Sequence, residues 1–197
     1  SDVSLSLSQE SFDCSEAGAI VPVVLSAEDP AGNVSSCTAS VQVRDVSPPQ
    51  LLCTDVTKLV GSNGAVSLAV EDVVLSLGDN CGVDTMWLSE ELFNCSDAGI
   101  NEVSFTAVDV NGNTSSCSVS VEVVDPVSPQ LFCTGIFRQL NNNGERTITP
   151  NELLQGYTDN CTGELQLSLS QSYFDCSNAG QDIPVVLTAE DEAGNIS

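Results

Sequence analysis

The sequence contains no histidine, and its basic residues number only four: Arg44, Lys58, Arg138 and Arg146. Without histidine, every catalytic triad built on imidazole is excluded, and so are Cys/His zinc sites. Twenty-eight acidic residues leave a formal charge of −24. Such a chain repels nucleic acid and anionic membrane surfaces, which carry dense negative charge themselves. It draws cations, divalent ones above all, and the same charge keeps long surface polymers soluble and apart. Aromatic residues make up only 5% of the chain. Each core must therefore be small and aliphatic, and small cores need staples. No apolar run is long enough to span a bilayer, and no signal peptide is recognisable. Neither GxxxxGK nor GxGxxG occurs, so there is no phosphate cradle. No window keeps a helical period, and Asn151–Gln155 would give one turn at most.

What is present favours folding. Hydrophobic residues reach 41% and fall in alternating runs of Val, Leu and Ala, which disordered chains lack. Nine cysteines recur at regular spacing without a CxxC pair. That pattern fits disulfides rather than metal thiolates, and disulfides imply an oxidising compartment outside the cytosol. A chain that needs export yet shows no export signal reads as an internal piece of a longer protein.

Self-comparison exposes a repeat. Phe12–Gly18 (FDCSEAG) returns as Phe93–Gly99 (FNCSDAG) and Phe174–Gly180 (FDCSNAG), and the cysteines step from 14 to 95 to 176. The run ending at Cys37 (AEDPAGNVSSC) returns at Cys117 (AVDVNGNTSSC). The run ending at Cys53 (DVSPPQLLC) returns at Cys133, and the GDNC of Cys81 returns as TDNC at Cys161. Residues 1–45 read as a partial repeat, 46–125 as a complete one, and 126–197 as one lacking its last strand. An odd cysteine count follows from that phase and need not mean a reactive thiol.

Within a repeat the pattern is β. Thr38–Val43, Asn101–Val108, Ser118–Val124 and Ile183–Ala189 alternate apolar and polar residues, as half-buried strands do. Gly61–Gly64 and Asn141–Gly144 carry turn chemistry, and Asp109–Asn113 reads as a loop between two strands. Short strands with frequent turns predict an all-β chain of tandem immunoglobulin-like β-sandwich repeats, each about 80 residues and stapled by disulfides.

The run V-x-x-x-A-x-D-x-x-G-N-x-x-S-C, followed by V-x-V-x-D-x-x-x-P and a further Cys, resembles the HYR (hyalin repeat) family. It is most similar to the four-cysteine form found in tandem in large surface proteins of Bacteroidota, flavobacterial gliding adhesins among them. The sequence Gln50-Leu51-Leu52-Cys53-Thr54 departs from the Cys-Pro frequent in hyalin repeats. The resemblance implies an immunoglobulin-like sandwich used for adhesion or as a stalk, with no chemistry of its own. It also implies one disulfide scheme, Cys53–Cys117, leaving Cys81–Cys95 and Cys161–Cys176, with partners for Cys14, Cys37 and Cys133 outside the chain. A second scheme joins near neighbours: Cys14–Cys37, Cys53–Cys81, Cys95–Cys117 and Cys133–Cys161. Both remain open at this point.

Two sets of oxygen-bearing residues repeat. Asp45, Asp79, Asn80, Asp109, Asn111 and Asn113 form one, and Asp125, Asp159, Asn160, Asp191 and Asn195 the other. In a sandwich their loops share one end of a domain with the incoming linker. Side-chain oxygens there would hold Ca²⁺, which takes 6–8 oxygen ligands. The same residues also make turns without any ion. Sequons occur at Asn33, Asn94, Asn113, Asn160 and Asn195, and Asp84-Thr85-Met86 resembles an O-glycan acceptor on Thr85. Trp87 is either a core residue or a sugar-stacking platform, and the third repeat has no counterpart for it.

The expected function is therefore a structural and adhesive stretch of a long extracellular surface protein, a stalk or filament, and not an enzyme. Its expected partners are neighbouring repeats, other copies, and surface glycans or proteins, with no nucleic acid and no membrane span. Two alternatives are a ligand-binding repeat and an accessory region of a secreted enzyme.

Overall fold

A computed structural model describes residues 2–161 and 163–197. The first repeat contributes β1 (Ser4–Leu7), β2 (Ile20–Glu28) and β3 (Val34–Gln42). The middle one holds β4 (Gln50–Cys53), β5 (Val56–Leu59), β6 (Ala65–Ser67), helix α1 (Val70–Val73), β7 (Val74–Gly78), β8 (Val83–Leu88), β9 (Leu92–Asn94), β10 (Gly99–Asp109) and β11 (Thr114–Val124). The third holds β12 (Gln130–Cys133), β13 (Glu145–Thr147), helix α2 (Pro150–Leu153), β14 (Leu154–Thr158), β15 (Gln166–Leu169), β16 (Tyr173–Asp175) and β17 (Leu187–Glu190). The chain is all-β apart from single helical turns, and among the described residues no helix is long and apolar enough to cross a membrane.

The chain forms two compact units, and their boundary runs through the middle repeat. The first unit comprises Ser1–Asp55, Val70–Ser89 and Val103–Val119. In it β1, β2 and β3 form an antiparallel sheet, with Leu5 opposite Ala27 and Leu25 opposite Cys37. β4 pairs with β7, and the distal part of β10 pairs with β8, setting Phe105 opposite Leu88. Its core is Val23, Val73, Leu88, Val103, Phe105, Ala107 and Val119. The second unit comprises Val56–Ala69, Glu90–Glu102 and Ser120–Ser197. There the end of β11 runs parallel to β5, with Val121 opposite Val56, while β6–β9, β12–β14, β13–β16 and β15–β17 form antiparallel pairs. Its core is Val60, Leu68, Phe93, Val121, Val123, Ile148, Leu153, Leu187 and Ala189.

Period-two alternation accounts for these faces. Val121 and Val123 point inward, whereas Glu122 between them stays exposed and accepts from the Thr57 hydroxyl at 3.0 Å. The predicted helical turn sits one residue early, at Pro150–Leu153, because Pro150 fixes φ at the first helical position and the Glu152 carboxylate accepts the Thr149 amide at 3.0 Å. The strand expected over 183–189 is shorter, since only Leu187–Glu190 pairs, with β15. Trp87 lies exposed on β8.

Candidate functional site: two aspartate triads

Each triad is assembled from three stretches of chain. In the first unit, Asp109 ends β10 and opens the turn to β11. Its Oδ1 accepts the amides of Asn111 and Asn113, both at 2.8 Å, which closes the turn over Gly112. Asp79 folds the Asp-Asn-Cys loop in the same way, its Oδ1 accepting the amides of Cys81 at 2.8 Å and Gly82 at 3.0 Å. Asp45 comes from the linker that follows β3, and its Oδ1 accepts from Ser47 N at 3.0 Å and Asn80 Nδ2 at 3.2 Å. In the second unit Asp191, Asp159 and Asp125 repeat this arrangement. Asp191 accepts Asn195 N at 2.8 Å, Asp159 accepts Cys161 N at 3.1 Å, and Asp125 accepts Val127 N at 3.1 Å and Asn160 Nδ2 at 2.9 Å.

These turns bring Asp45, Asp79 and Asp109 together, and likewise Asp125, Asp159 and Asp191. In each triad one carboxylate oxygen per residue lies within 4.8 Å of the others. Asp109, Asp125 and Asp191 are only 2%, 5% and 6% exposed. The second oxygens of Asp45, Asp79, Asp125 and Asp159 are buried with no hydrogen-bond partner, as is Asn160 Oδ1. A buried carboxylate oxygen left without a donor is costly, and several facing one another are more so. Turn chemistry explains the first oxygen of each aspartate, and the second oxygens of Asp109 and Asp191 accept from asparagine side chains, but those of Asp45, Asp79, Asp125 and Asp159 are left unexplained.

The donor set fits a hard divalent cation. Calcium binds oxygens at about 2.3–2.6 Å, so oxygens on opposite sides of one ion stand about 5 Å apart. Three carboxylates would supply part of the shell, with carbonyls or water completing it. Burial tends to raise the pKa of Asp109, yet the Asn113 side chain and the amides of Asn113, Asn111 and Gly112 outweigh it and hold the carboxyl below its ordinary range. The carboxylate therefore stays ionised, as a cation ligand must.

The asparagines divide differently from the sequence expectation. Asn113 and Asn195 act as donors. Asn113 Nδ2 reaches Asp109 Oδ2 at 2.8 Å and the linker carbonyls of Asp45 and Ser47 at 3.4 and 3.5 Å. Asn195 Nδ2 reaches Asp191 Oδ2 at 2.9 Å and the carbonyls of Asp125 and Val127 at 3.1 and 3.2 Å. They tie the linker to the turn. Asn111 is exposed, and what it gives to the triad is its backbone amide. Asn80 and Asn160 bridge loop and linker through Nδ2, and Asn160 alone adds a partnerless oxygen.

An N-glycan would attach at Nδ2, and at Asn113, Asn160 and Asn195 that atom is committed inside the site. Asn33 spends its Nδ2 on Asp29 at 2.9 Å, and the Asn94 oxygen caps Ser96 N at 2.8 Å, although both residues are exposed. Thr85 is exposed on β8.

A disulfide flanks each triad. Cys14 bonds Cys81, Cys95 bonds Cys161, and Cys53 bonds Cys117. The pairs Cys81–Cys95 and Cys161–Cys176 do not form, Cys14 has its partner inside the chain, and the near-neighbour scheme fails throughout. The reason is that each Phe-x-Cys turn of one repeat sits against the Asp-Asn-Cys loop of the next. Cys14 Sγ lies 3.4 Å from Asn80 O, and Cys95 Sγ lies 3.6 Å from Gly64 O and 3.7 Å from Asn160 O. Cys81 and Cys95, by contrast, belong to different compact units. Cys37, Cys133 and Cys176 are exposed thiols. Disulfides form and persist in oxidising surroundings, and the chain is extracellular.

Neither the profile of a known family nor any curated protein matches the chain. Among solved structures it overlays on the protocadherin gammaB4 extracellular domain, with 16% identity, 99% of this chain and 40% of that one covered, and a TM-score of 0.40. It overlays on cadherin domains 1–4 of protocadherin gamma B7 with 16% identity, 100% and 65% coverage and a TM-score of 0.37. The human desmocollin-1 ectodomain gives 13% identity, 89% and 42% coverage and a TM-score of 0.30. The chain spans less than two thirds of each of these structures, and overlays this loose say nothing about ligand or partner.

Proposed function

We propose that this chain is a structural and adhesive stretch of an extracellular surface protein of the hyalin-repeat kind, in which successive repeats are joined covalently by disulfides and locked by a calcium ion at each aspartate triad. One observation carries the reading. The whole assembly of linker aspartate, Asp-Asn-Cys loop, Asp-x-x-Gly-Asn turn and flanking disulfide occurs twice, each time with buried carboxylate oxygens that lack a donor. An ion would compensate those oxygens and tie the linker to two loops at once. The test is titration calorimetry on the oxidised chain with Ca²⁺ and then Mg²⁺, paired with thermal unfolding in each ion and in chelator. Two calcium sites, with unfolding shifted upward in calcium and less in magnesium, support the reading. Absence of calcium binding, with unfolding unchanged between calcium and chelator, overturns the ion lock and leaves the aspartates as turn formers.

A further inference from the structure

Each disulfide between repeats is built into the loop that carries one aspartate of a triad. Cys81 follows Asp79 by two residues, and its amide is one of two donors that orient Asp79 Oδ1, at 2.8 Å. Asn80, between them, donates Nδ2 to Asp45 Oδ1 at 3.2 Å and to Cys81 Sγ at 3.3 Å, while its carbonyl oxygen lies 3.4 Å from Cys14 Sγ. The second unit repeats every part. Cys161 N donates to Asp159 Oδ1 at 3.1 Å, Asn160 Nδ2 reaches Asp125 Oδ1 at 2.9 Å and Cys161 Sγ at 3.6 Å, and Asn160 O lies 3.7 Å from Cys95 Sγ. Asn160 Nδ2 also reaches Gly61 O at 3.3 Å. The sulfurs hold the loop from one side and the linker aspartate holds it from the other. Cys53–Cys117 differs, since it joins β4 to β11 and belongs to neither ligand loop.

We infer that each of these two disulfides is coupled to the calcium site beside it, so that the oxidised junction binds calcium more tightly and bound calcium opposes reduction of that disulfide by a dithiol. The inference rests on the calcium reading of the triads. Without an ion, carboxylates within 4.8 Å of one another push linker and loops apart, and the disulfide resists by fixing the Asp-Asn-Cys loop. Ligands held in place beforehand bind an ion more tightly, because less ordering remains to be done. The coupling is reciprocal: the factor by which oxidation tightens calcium binding is the factor by which calcium disfavours reduction. In the reduction itself, one thiolate of the dithiol attacks a cystine sulfur, and its second sulfur closes a ring and displaces the mixed disulfide. The dithiol leaves oxidised as a cyclic disulfide, and the two cysteines take up its two protons. A dithiol thus opens a junction where calcium is scarce and spares it where calcium is plentiful.

The test uses the full chain carrying Cys37→Ser, Cys133→Ser and Cys176→Ser, which prevents reshuffling through the exposed thiols. The chain is equilibrated in dithiothreitol buffers of graded poise, with calcium or with chelator, then alkylated, and each disulfide is scored by mass spectrometry. The equilibrium is read rather than the rate, because the carboxylates repel an attacking thiolate and an ion would speed its approach. Calcium should lower the reduction equilibrium constants of Cys14–Cys81 and Cys95–Cys161 by about tenfold, and that of Cys53–Cys117 by less than about twofold. Asp125→Asn should cancel the protection of Cys95–Cys161 and spare that of Cys14–Cys81. Titration calorimetry on Cys95→Ser/Cys161→Ser should show one of two calcium sites weakened by the same factor. The redox arm keeps these cysteines intact, so it decides the matter even where that double variant does not fold. Equal reduction in calcium and in chelator, by an oxidised chain that binds two ions, would overturn the inference and leave the ion lock standing. An oxidised chain that binds no calcium overturns both. Equal protection of all three disulfides also overturns the inference, because it reads as general stabilisation of the fold.

Discussion

Replacing Asp125 by Asn separates ligand chemistry from architecture. Asp125 Oδ1 accepts from Val127 N at 3.1 Å and Asn160 Nδ2 at 2.9 Å, and the amide oxygen of an asparagine keeps both bonds. Only the partnerless Oδ2 changes, becoming an NH₂. Two carboxylate oxygens within 4.8 Å of each other repel by about 3.5 kcal/mol or more at an effective dielectric of about 20, before screening by water and salt reduces it. Asp125 takes part in two such pairs. In chelator, Asp125→Asn should therefore match the parent or exceed it by about 1–2 kcal/mol, raising Tm by about 2–8 °C. In calcium at a hundredfold excess over Kd the order reverses. Each site then stabilises the parent by about 2.7 kcal/mol, or about 5–11 °C, and the variant keeps only the share of the Asp45–Asp79–Asp109 site. Scanning calorimetry in both conditions reads the reversal, and titration calorimetry should show stoichiometry falling from two to one. If the variant loses equal stability with and without calcium, Asp125 is a turn acceptor only and the ion-site reasoning fails.

Three further outcomes are expected. Non-reducing peptide mapping should recover Cys14–Cys81, Cys53–Cys117 and Cys95–Cys161; loss of the last through Cys95→Ser/Cys161→Ser opens a loop of 66 residues and should cost about 4 kcal/mol. Gly64 has φ +74°, and a Cβ there would stand 2.7 Å from Asn160 O, whereas Gly112 has φ +90° with open space around it. Gly112→Ala should therefore cost about 1 kcal/mol of backbone strain, and Gly64→Ala about 1–3 kcal/mol more because a carbonyl must move, as chemical denaturation would show. Serine donors hold the Asp13 and Asp175 carboxyls below their ordinary 3.8, and Arg138 with the Thr149 amide holds Glu152 below 4.5. A depressed folded pKa gives stability that is complete above the unfolded value and lost as pH falls through the folded one. The gap in urea midpoint between the parent and a Ser177→Ala variant, which loses the hydroxyl donor to Asp175, should therefore be flat above about pH 5 and shrink below about pH 4; a gap that widens on acidification would contradict the assignment.

The sandwich pattern was legible because β10 and β11 show strict alternation and because turn residues recur at fixed offsets. The aspartate turns were legible too, since Asp-x-x-Gly-Asn specifies its own hydrogen bonds locally. Of the cross-links, Cys53–Cys117 was legible through the family resemblance, and the bonds between repeats, Cys14–Cys81 and Cys95–Cys161, were not. A period of 80 or 81 residues identifies which cysteines are equivalent, and equivalence says nothing about which face each other. Only the seating of Cys95 against Gly64 O and Asn160 O reveals the partner. The inward direction of the Asn113 and Asn195 amides was hidden for the same reason, because their acceptors are linker carbonyls 66 to 70 residues away. The strand expected over 183–189 failed in its first half because alternation announces a strand, while pairing requires a neighbour.

The interleaving of the disulfides changes what the chain is as a thread. Cys14 and Cys161 are 147 residues apart along the backbone (161 − 14), about 500 Å at about 3.3–3.6 Å per residue. The shortest covalent route between them crosses from Cys14 to Cys81, follows the 14 residues to Cys95 (95 − 81), and crosses to Cys161. That route can be drawn out to only about 50 Å plus two S–S links, even if every strand unravels. The oxidised molecule is therefore nearly inextensible between those points whatever its folding stability, and reduction alone would release a roughly tenfold longer tether.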